Sequence, residues 1–282
     1  MDDPIGRRAL SELVPAGLDA TVVFVRHGES TFITEGRFQG QADSPLTARG
    51  KRQAALVAAR LAEPHVLPAL PIPAGSPLEI AHSPLSRASE TATKIGAAMA
   101  RSGLLGDSPD APLRADDGLA EIGQGAWEGL HRDEVGRRYG DILATWRRRP
   151  TEAWAPGGES LPDVAARLRP ALTRLLDSLA AAGTPGTRDR DQVSGYGDPP
   201  VVHPWSVVVA HDGLFKIAFL SLFGLPLERF WMWSMDLCGC SIIEFRGGQP
   251  VLRAHNLTAH LAPLLDHEAA SDGEARGRSG AL

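Results

Sequence analysis

The chain has 282 residues, 43% of them hydrophobic, which is enough for one large α/β domain with a well-buried core. Its 29 basic and 34 acidic residues leave a formal charge of −5, so no global positive field exists to hold nucleic acid or an anionic membrane surface. Any anionic ligand has to be met by a local cluster.

The N-terminal stretch (MDDPIGRRALSELVPAG) opens acidic and lacks a continuous apolar run, and apolar runs elsewhere are too short for a membrane span. Residues 1–20 read as an extension. Thr21 to Val25 (TVVFV) is a short β-type run that ends abruptly at Arg26, His27 and Gly28, the behaviour of a buried central strand that delivers a loop at its carboxyl end. That edge is where open α/β sheets bind ligands. Thr47 is placed to cap a helix running to about Ala62, and Pro64 ends it. Residues 64–77 form a Pro-rich loop, followed by a candidate strand from Leu78 to Ala81. Ser83 as cap and Pro84 at the first helical position predict a helix to about Ala100, with Arg87 in its first turn.

Two more helical regions cover about Arg132 to Arg148 and Leu161 to Ala182. The segment 183–204 is rich in Gly, Pro, Asp and Arg without apolar periodicity and reads as a flexible insertion. Ser206 to Ala210 (SVVVA) is a second buried-type strand, ending at His211, Asp212 and Gly213 and leading into an apolar helix, Leu214 to Phe223. The two halves thus put histidines at equivalent strand ends. Cys240 to Phe245 and Val251 to Ala254 predict closing strands in a hairpin around Gly247 and Gly248, and 263–282 reads as a disordered tail. Cys238 and Cys240 are the only cysteines; they read as two buried thiols, with no further thiol for a four-ligand metal site, and favour a reducing, cytoplasmic setting.

Taken singly, each polar candidate has an ordinary explanation: a hydrogen-bonded structural His, a solvated helix Arg, an exposed loop carboxylate at Glu121. Together they do not. Two His and two Arg, in an acidic chain, map to strand ends and helix starts where free backbone N–H groups already favour an anion.

At these residues the chain resembles the histidine phosphatase superfamily, also called the phosphoglycerate mutase-like family. VRHGES (Val25 to Ser30) is similar to its signature. RFQGQADSPLTARGKRQA (Arg37 to Ala54), SPLSRASETA (Ser83 to Ala92), LAEIGQGAWEG (Leu119 to Gly129), PGGES (Pro156 to Ser160) and VVAHDG (Val208 to Gly213) follow in the family's order. The resemblance covers most of residues 21–260 and implies a three-layer α/β/α fold with a mostly parallel central sheet across a single domain, 21–262. It implies His27 as the nucleophile that captures phosphorus, Arg26, Arg87 and His211 as the phosphate clamp, and Glu121 as general acid and then base, its pKa raised by burial beside Ile122 or Trp127. Glu128 is read as structural. Ser30, Gln39, Gly40 and Asp212 align with pocket positions. No metal and no cofactor is implied, and the substrate is expected to be a small phosphorylated metabolite; a homodimer is one assembly the sequence admits.

Two departures stand out. Ile33 occupies a position where many members have a phosphate-contacting Asn, which leaves Ser30 or Thr34 to compensate, and Asp212 follows the second His where Gly is commoner. A carboxylate there repels phosphate unless it is turned away or paired. Hydrolysis is favoured over mutase chemistry: Trp146, Arg147 and Arg148 resemble part of a mutase substrate segment, but EIGQG departs from the mutase sequence and PGGES is typical of the hydrolytic branch. A non-catalytic phosphate-binding or interaction scaffold is the third reading, opposed by the intact set of His27, Arg26, Arg87, Glu121 and His211.

Overall fold

The computed structural model describes residues 13–106, 112–183 and 203–265. Among the described residues, six strands form one sheet: β1 (Ala20–Arg26), β2 (Ile80–His82), β3 (Leu113–Ala115), β4 (Trp205–Ala210), β5 (Cys240–Arg246) and β6 (Gln249–Leu257), in the order β3-β2-β4-β1-β5-β6. The first four in that order run parallel, while β5 pairs antiparallel with β1 and β6 with β5. The expected mostly parallel sheet is present, with the hairpin of β5 and β6 added at one edge.

Five longer helices surround it: α1 (Ala48–Ala62), α2 (Ser86–Arg101), α3 (Arg132–Arg148), α4 (Leu161–Ala182) and α5 (Asp212–Phe223). The unbroken apolar run of β1 follows from burial on both faces. Val23 and Val25 belong to a core with α1 and α2, while Val22 and Phe24 belong to one with α3, α4 and α5. Period-two alternation therefore feeds two cores, and the fold is three-layered. Phe24 packs edge-on against Phe215 and Phe219 of α5, locking that helix under β1.

Local signals explain most element starts. Thr47 accepts the Gly50 N–H at the start of α1, and α4 opens with a reciprocal capping box between Ser160 and Asp163 and with Pro162 in its first turn. The start of α2 differs from expectation: it begins at Ser86, two residues beyond Pro84, and Leu85 precedes it. The Ser83 hydroxyl accepts a 3.3 Å bond from the Leu85 N–H but is shared with His211, and β2 runs on through His82 to deliver it there. Leu13, Val14 and Leu18, from the end of the segment set apart as an extension, are buried in the second core. Most of the 183–204 insertion and of the 263–282 tail lies outside the described residues, as do residues 1–12.

Candidate active site

β1 and β4 are adjacent and in register, Arg26 opposite Ala210, and the His27 N–H continues the ladder to the Ala210 carbonyl at 3.0 Å. His27 and His211 therefore leave neighbouring strands side by side, with ring centroids 5.0 Å apart. The loop beyond His27 is pressed against the start of α1. A Cβ at Gly28 would lie 2.5 Å from the Gly50 carbonyl oxygen, and one at Gly50 would overlap the Glu29 carbonyl, so both positions need glycine for close approach. Glu29 secures the same junction by accepting from Thr47 Oγ1 (2.6 Å) and Arg49 (3.1 Å).

The His27 ring is buried, and its Nδ1 lies 2.6 Å from the Gly28 carbonyl. A carbonyl only accepts, so Nδ1 carries the proton and the lone pair is left on Nε2. Burial first, then the Arg87 and Arg26 cations, holds the His27 pKa well below that of an ordinary histidine. The imidazole is neutral at neutral pH.

Arg87 is fully buried in the first turn of α2; its two terminal nitrogens donate to the carbonyls of Gly40 (2.7 Å) and Ala42 (3.1 Å). Burial lowers its pKa to about 10, with Glu121 opposing, so it stays a cation. Arg26 donates through NH1 to the Met235 carbonyl at 2.6 Å. His211 is buried with Nε2 2.7 Å from Ser83 Oγ, and burial followed by the Arg87 cation lowers its pKa well below normal. Arg26 Nε, Arg87 Nε and His211 Nδ1 are each buried without a hydrogen-bond partner in the protein. A buried donor left unsatisfied costs roughly 1–3 kcal/mol, and two guanidinium N–H groups with an open ring nitrogen around one imidazole describe a site shaped for an acceptor-rich anion.

Glu121 is buried between β3 and α3. Its Oε1 accepts from the Ile122 (2.9 Å) and Leu214 (3.0 Å) N–H groups, and Oε2 has one longer contact, 3.3 Å from the Gly213 N–H. Burial raises its pKa; the Ile122 N–H opposes this and Asp212 reinforces it. The expected elevation is there, and Ile122 adds a backbone N–H that opposes it. Gly213 leaves room for the carboxylate, because a Cβ there would lie 2.7 Å from Glu121 Oε1 and would displace it.

The loop carrying Glu121 is stapled by groups that the sequence did not reveal. Arg167 of α4 donates to the carbonyls of Gly118, Ala120 and Glu121 and pairs with Glu159, while Glu159 also accepts the Gly123 N–H at 2.7 Å. Glu159 sits in the PGGES block, but nothing in the spacing singles out Arg167 among the arginines of its helix. Glu128 accepts from the Gln41 and Gln124 N–H groups, the structural role expected of it.

Of the pocket candidates, Gly40 has φ +50°, and a Cβ there would collide with Glu128, so glycine serves the turn that presents its carbonyl to Arg87. The Ser30 hydroxyl donates to Gln39 Oε1 at 2.5 Å, and Thr34 donates to the Thr31 carbonyl. Neither hydroxyl hydrogen is then available to replace the Asn that Ile33 displaces, which corrects that expectation. Asp212 is paired, as a tolerated carboxylate must be: Oδ2 lies 2.7 Å from Lys216 Nζ and Oδ1 accepts the Met235 N–H at 2.9 Å. Both its oxygens are engaged within the protein, so it is not placed for direct substrate contact.

A neutral buried imidazole flanked by two guanidiniums, a second histidine and a carboxyl with elevated pKa defines a phosphoryl-transfer type of site on a three-layer sheet. The family model for the histidine phosphatase superfamily (branch 1) matches residues 22–182 and 202–258, and the chain belongs to that superfamily. It is 34% identical to glucosyl-3-phosphoglycerate phosphatase of Mycobacterium tuberculosis over 74% of this chain and 78% of that protein. It is 28% identical to phosphoserine phosphatase 1 of Hydrogenobacter thermophilus over 85% of this chain and 93% of that one. The structure of the mycobacterial glucosyl-3-phosphoglycerate phosphatase in complex with VO3 superposes with a TM-score of 0.63 at 28% identity, covering 84% of this chain and 99% of that one.

Proposed function

We propose that the protein is a metal-independent phosphatase that hydrolyses a phosphate monoester through a phosphohistidine formed on Nε2 of His27. The observation that carries this is the set of three buried, unpartnered donors on Arg26, Arg87 and His211 beside a neutral imidazole whose lone pair lies on Nε2. The donors match the non-bridging oxygens of a phosphoryl group, and the two guanidiniums supply the positive charge that a metal provides in other phosphotransferases.

In the first step Nε2 attacks phosphorus as the ester P–O bond breaks, and Glu121, whose pKa burial raises, gives a proton from Oε2 to the leaving oxygen. The carboxylate so formed then takes a proton from water as that water attacks phosphorus. The P–N bond breaks, inorganic phosphate leaves and neutral His27 returns. Ser83 prepares His211 for its part in this reading: its hydroxyl hydrogen goes to His211 Nε2, which leaves the ring proton on Nδ1 as a donor to phosphate.

The substrate is a small phosphorylated metabolite; phosphoserine and glucosyl-3-phosphoglycerate are the first compounds to test, given the two named relatives. Cys238 and Cys240 are both buried free thiols, which favours a reducing cytoplasmic compartment. The test is phosphate release from a panel of monoesters in the presence of EDTA, run beside a phosphoglycerate mutase assay with bisphosphoglycerate. Release that survives the chelator is expected. Loss of activity restored only by metal, or transfer between hydroxyls without release, contradicts the proposal.

A further inference from the structure

Asp212 lies within the site yet takes no part in the steps above, and its carboxylate ought to repel the substrate. It lies in the first turn of α5, where the helix dipole favours a negative charge. Lys216, one turn on, neutralises it at 2.7 Å, and both side chains are about 5% exposed. Lys216 is held in turn: its Nζ lies 5.2 Å from the Phe230 ring centroid and 4.9 Å from that of Trp231. Replacing such a buried ion pair with apolar groups is often neutral for stability, so stability alone is a weak reason for its presence.

The remaining contacts lead to Arg26. Asp212 Oδ1 accepts the Met235 N–H, and the carbonyl of the same residue accepts Arg26 NH1. Phe230 and Trp231, which cover Lys216, lie in the 3-10 segment Leu227–Met232 just before Met235. The geometry points to Asp212 and Lys216 as positioning residues that anchor Met235, so that the Arg26 guanidinium is fixed with Nε free for the phosphoryl oxygens and no uncompensated carboxylate faces them. This rests on the phosphatase reading and extends it to two residues outside the reacting set.

The test is calorimetric titration of inorganic phosphate into the full-length protein and the variants R26A, D212A, R26A/D212A, K216M and D212N/K216M, at a temperature where circular dichroism shows each folded. R26A and D212A are each expected to weaken phosphate binding by about tenfold, and the double variant to bind no more weakly than R26A, because Asp212 acts through Arg26. K216M strands a carboxylate beside the anion and is expected to weaken binding by about tenfold, with recovery to within about threefold of wild type in D212N/K216M, where the charge is gone and an acceptor oxygen remains. Multiplicative losses in R26A/D212A, or wild-type binding by K216M, overturn the proposal. If D212A does not fold, K216M and its D212N rescue decide alone. Binding is read without turnover, so a wild-type protein that binds phosphate but never cleaves an aryl phosphate would defeat the phosphatase reading while leaving this test intact.

Discussion

At the scale of single residues, the site works by environment rather than by unusual side chains. Burial, reinforced by the two arginines proposed to clamp the phosphoryl group, keeps His27 unprotonated, so the proposed nucleophile and its clamp depend on one another. Glu121 faces the opposite demand, because a general acid has to hold a proton at the pH where His27 holds none on Nε2, and burial shifts its pKa in that direction. A proton donor matters only when the leaving oxygen is basic. Glu121→Gln is therefore expected to cut kcat for alkyl phosphates by about 10²–10⁴-fold and to leave aryl phosphates with activated leaving groups far less affected. Steady-state kinetics across a leaving-group series reads this directly; equal slowing throughout removes Glu121 from the role.

At the scale of elements, the site depends on two loops being allowed to come close. Gly28 and Gly50 let the His27 loop rest on α1, and Gly40 lets its carbonyl reach Arg87. An Ala in a helix is normally favourable by about 1 kcal/mol over Gly. At Gly50 the added Cβ overlaps the Glu29 backbone, so Gly50→Ala is expected to destabilise the protein by about 1–3 kcal/mol and to lower activity together with it. Gly136 in α3 has open space around it, and Gly136→Ala is expected to be neutral or to stabilise by up to about 1 kcal/mol. Denaturant unfolding of the two variants checks the contrast; destabilisation of similar size in both would deny the close approach its importance.

Much of this level was legible in the sequence. The end of β1 at Arg26, the Thr47 cap and the Ser160 start of α4 rest on local signals that nothing in the tertiary structure overrides. What the sequence misplaced or hid was decided by contacts distant along the chain. Ser83 looks like a helix cap, but its hydroxyl is bound to His211, 128 residues away, and α2 starts later. The three-residue β3 has no period to detect, and Arg167 reaches the Glu121 loop from the far side of α4. The departure at Asp212 was visible, but its meaning depended on Lys216 and Met235, which only the packing of α5 brings to it.

At the scale of the whole molecule, a working site of this kind costs stability in acid. His27 and His211 have folded pKa values depressed below that of the unfolded chain, so below about pH 6.5 the unfolded state binds protons that the native state still refuses. The stability they permit at neutral pH is lost as pH falls from about 6.5 toward their folded values, at up to about 1.4 kcal/mol per pH unit for each. Glu121 acts in the other sense. Its raised folded pKa makes the native state bind the extra proton above the unfolded value, so it offsets part of the loss as pH falls. His255 and His260, lowered mainly by burial as well, add to the loss, and the net is a decline. Urea unfolding between pH 7 and 5 is expected to show falling stability, and His27→Asn is expected to flatten the slope; an unchanged slope means that the imidazole titrates normally and is not held neutral by burial and its arginines.

The central claim is the covalent capture of phosphorus by His27, and the most direct measurement is rapid quenching of a turning-over reaction into base, followed by mass spectrometry of the phosphoprotein. A phosphoryl group on His27 that survives base and is lost in acid is expected, with neither label nor turnover in His27→Ala. Substrate turnover with the label on another residue, or turnover that persists in His27→Ala, would contradict it.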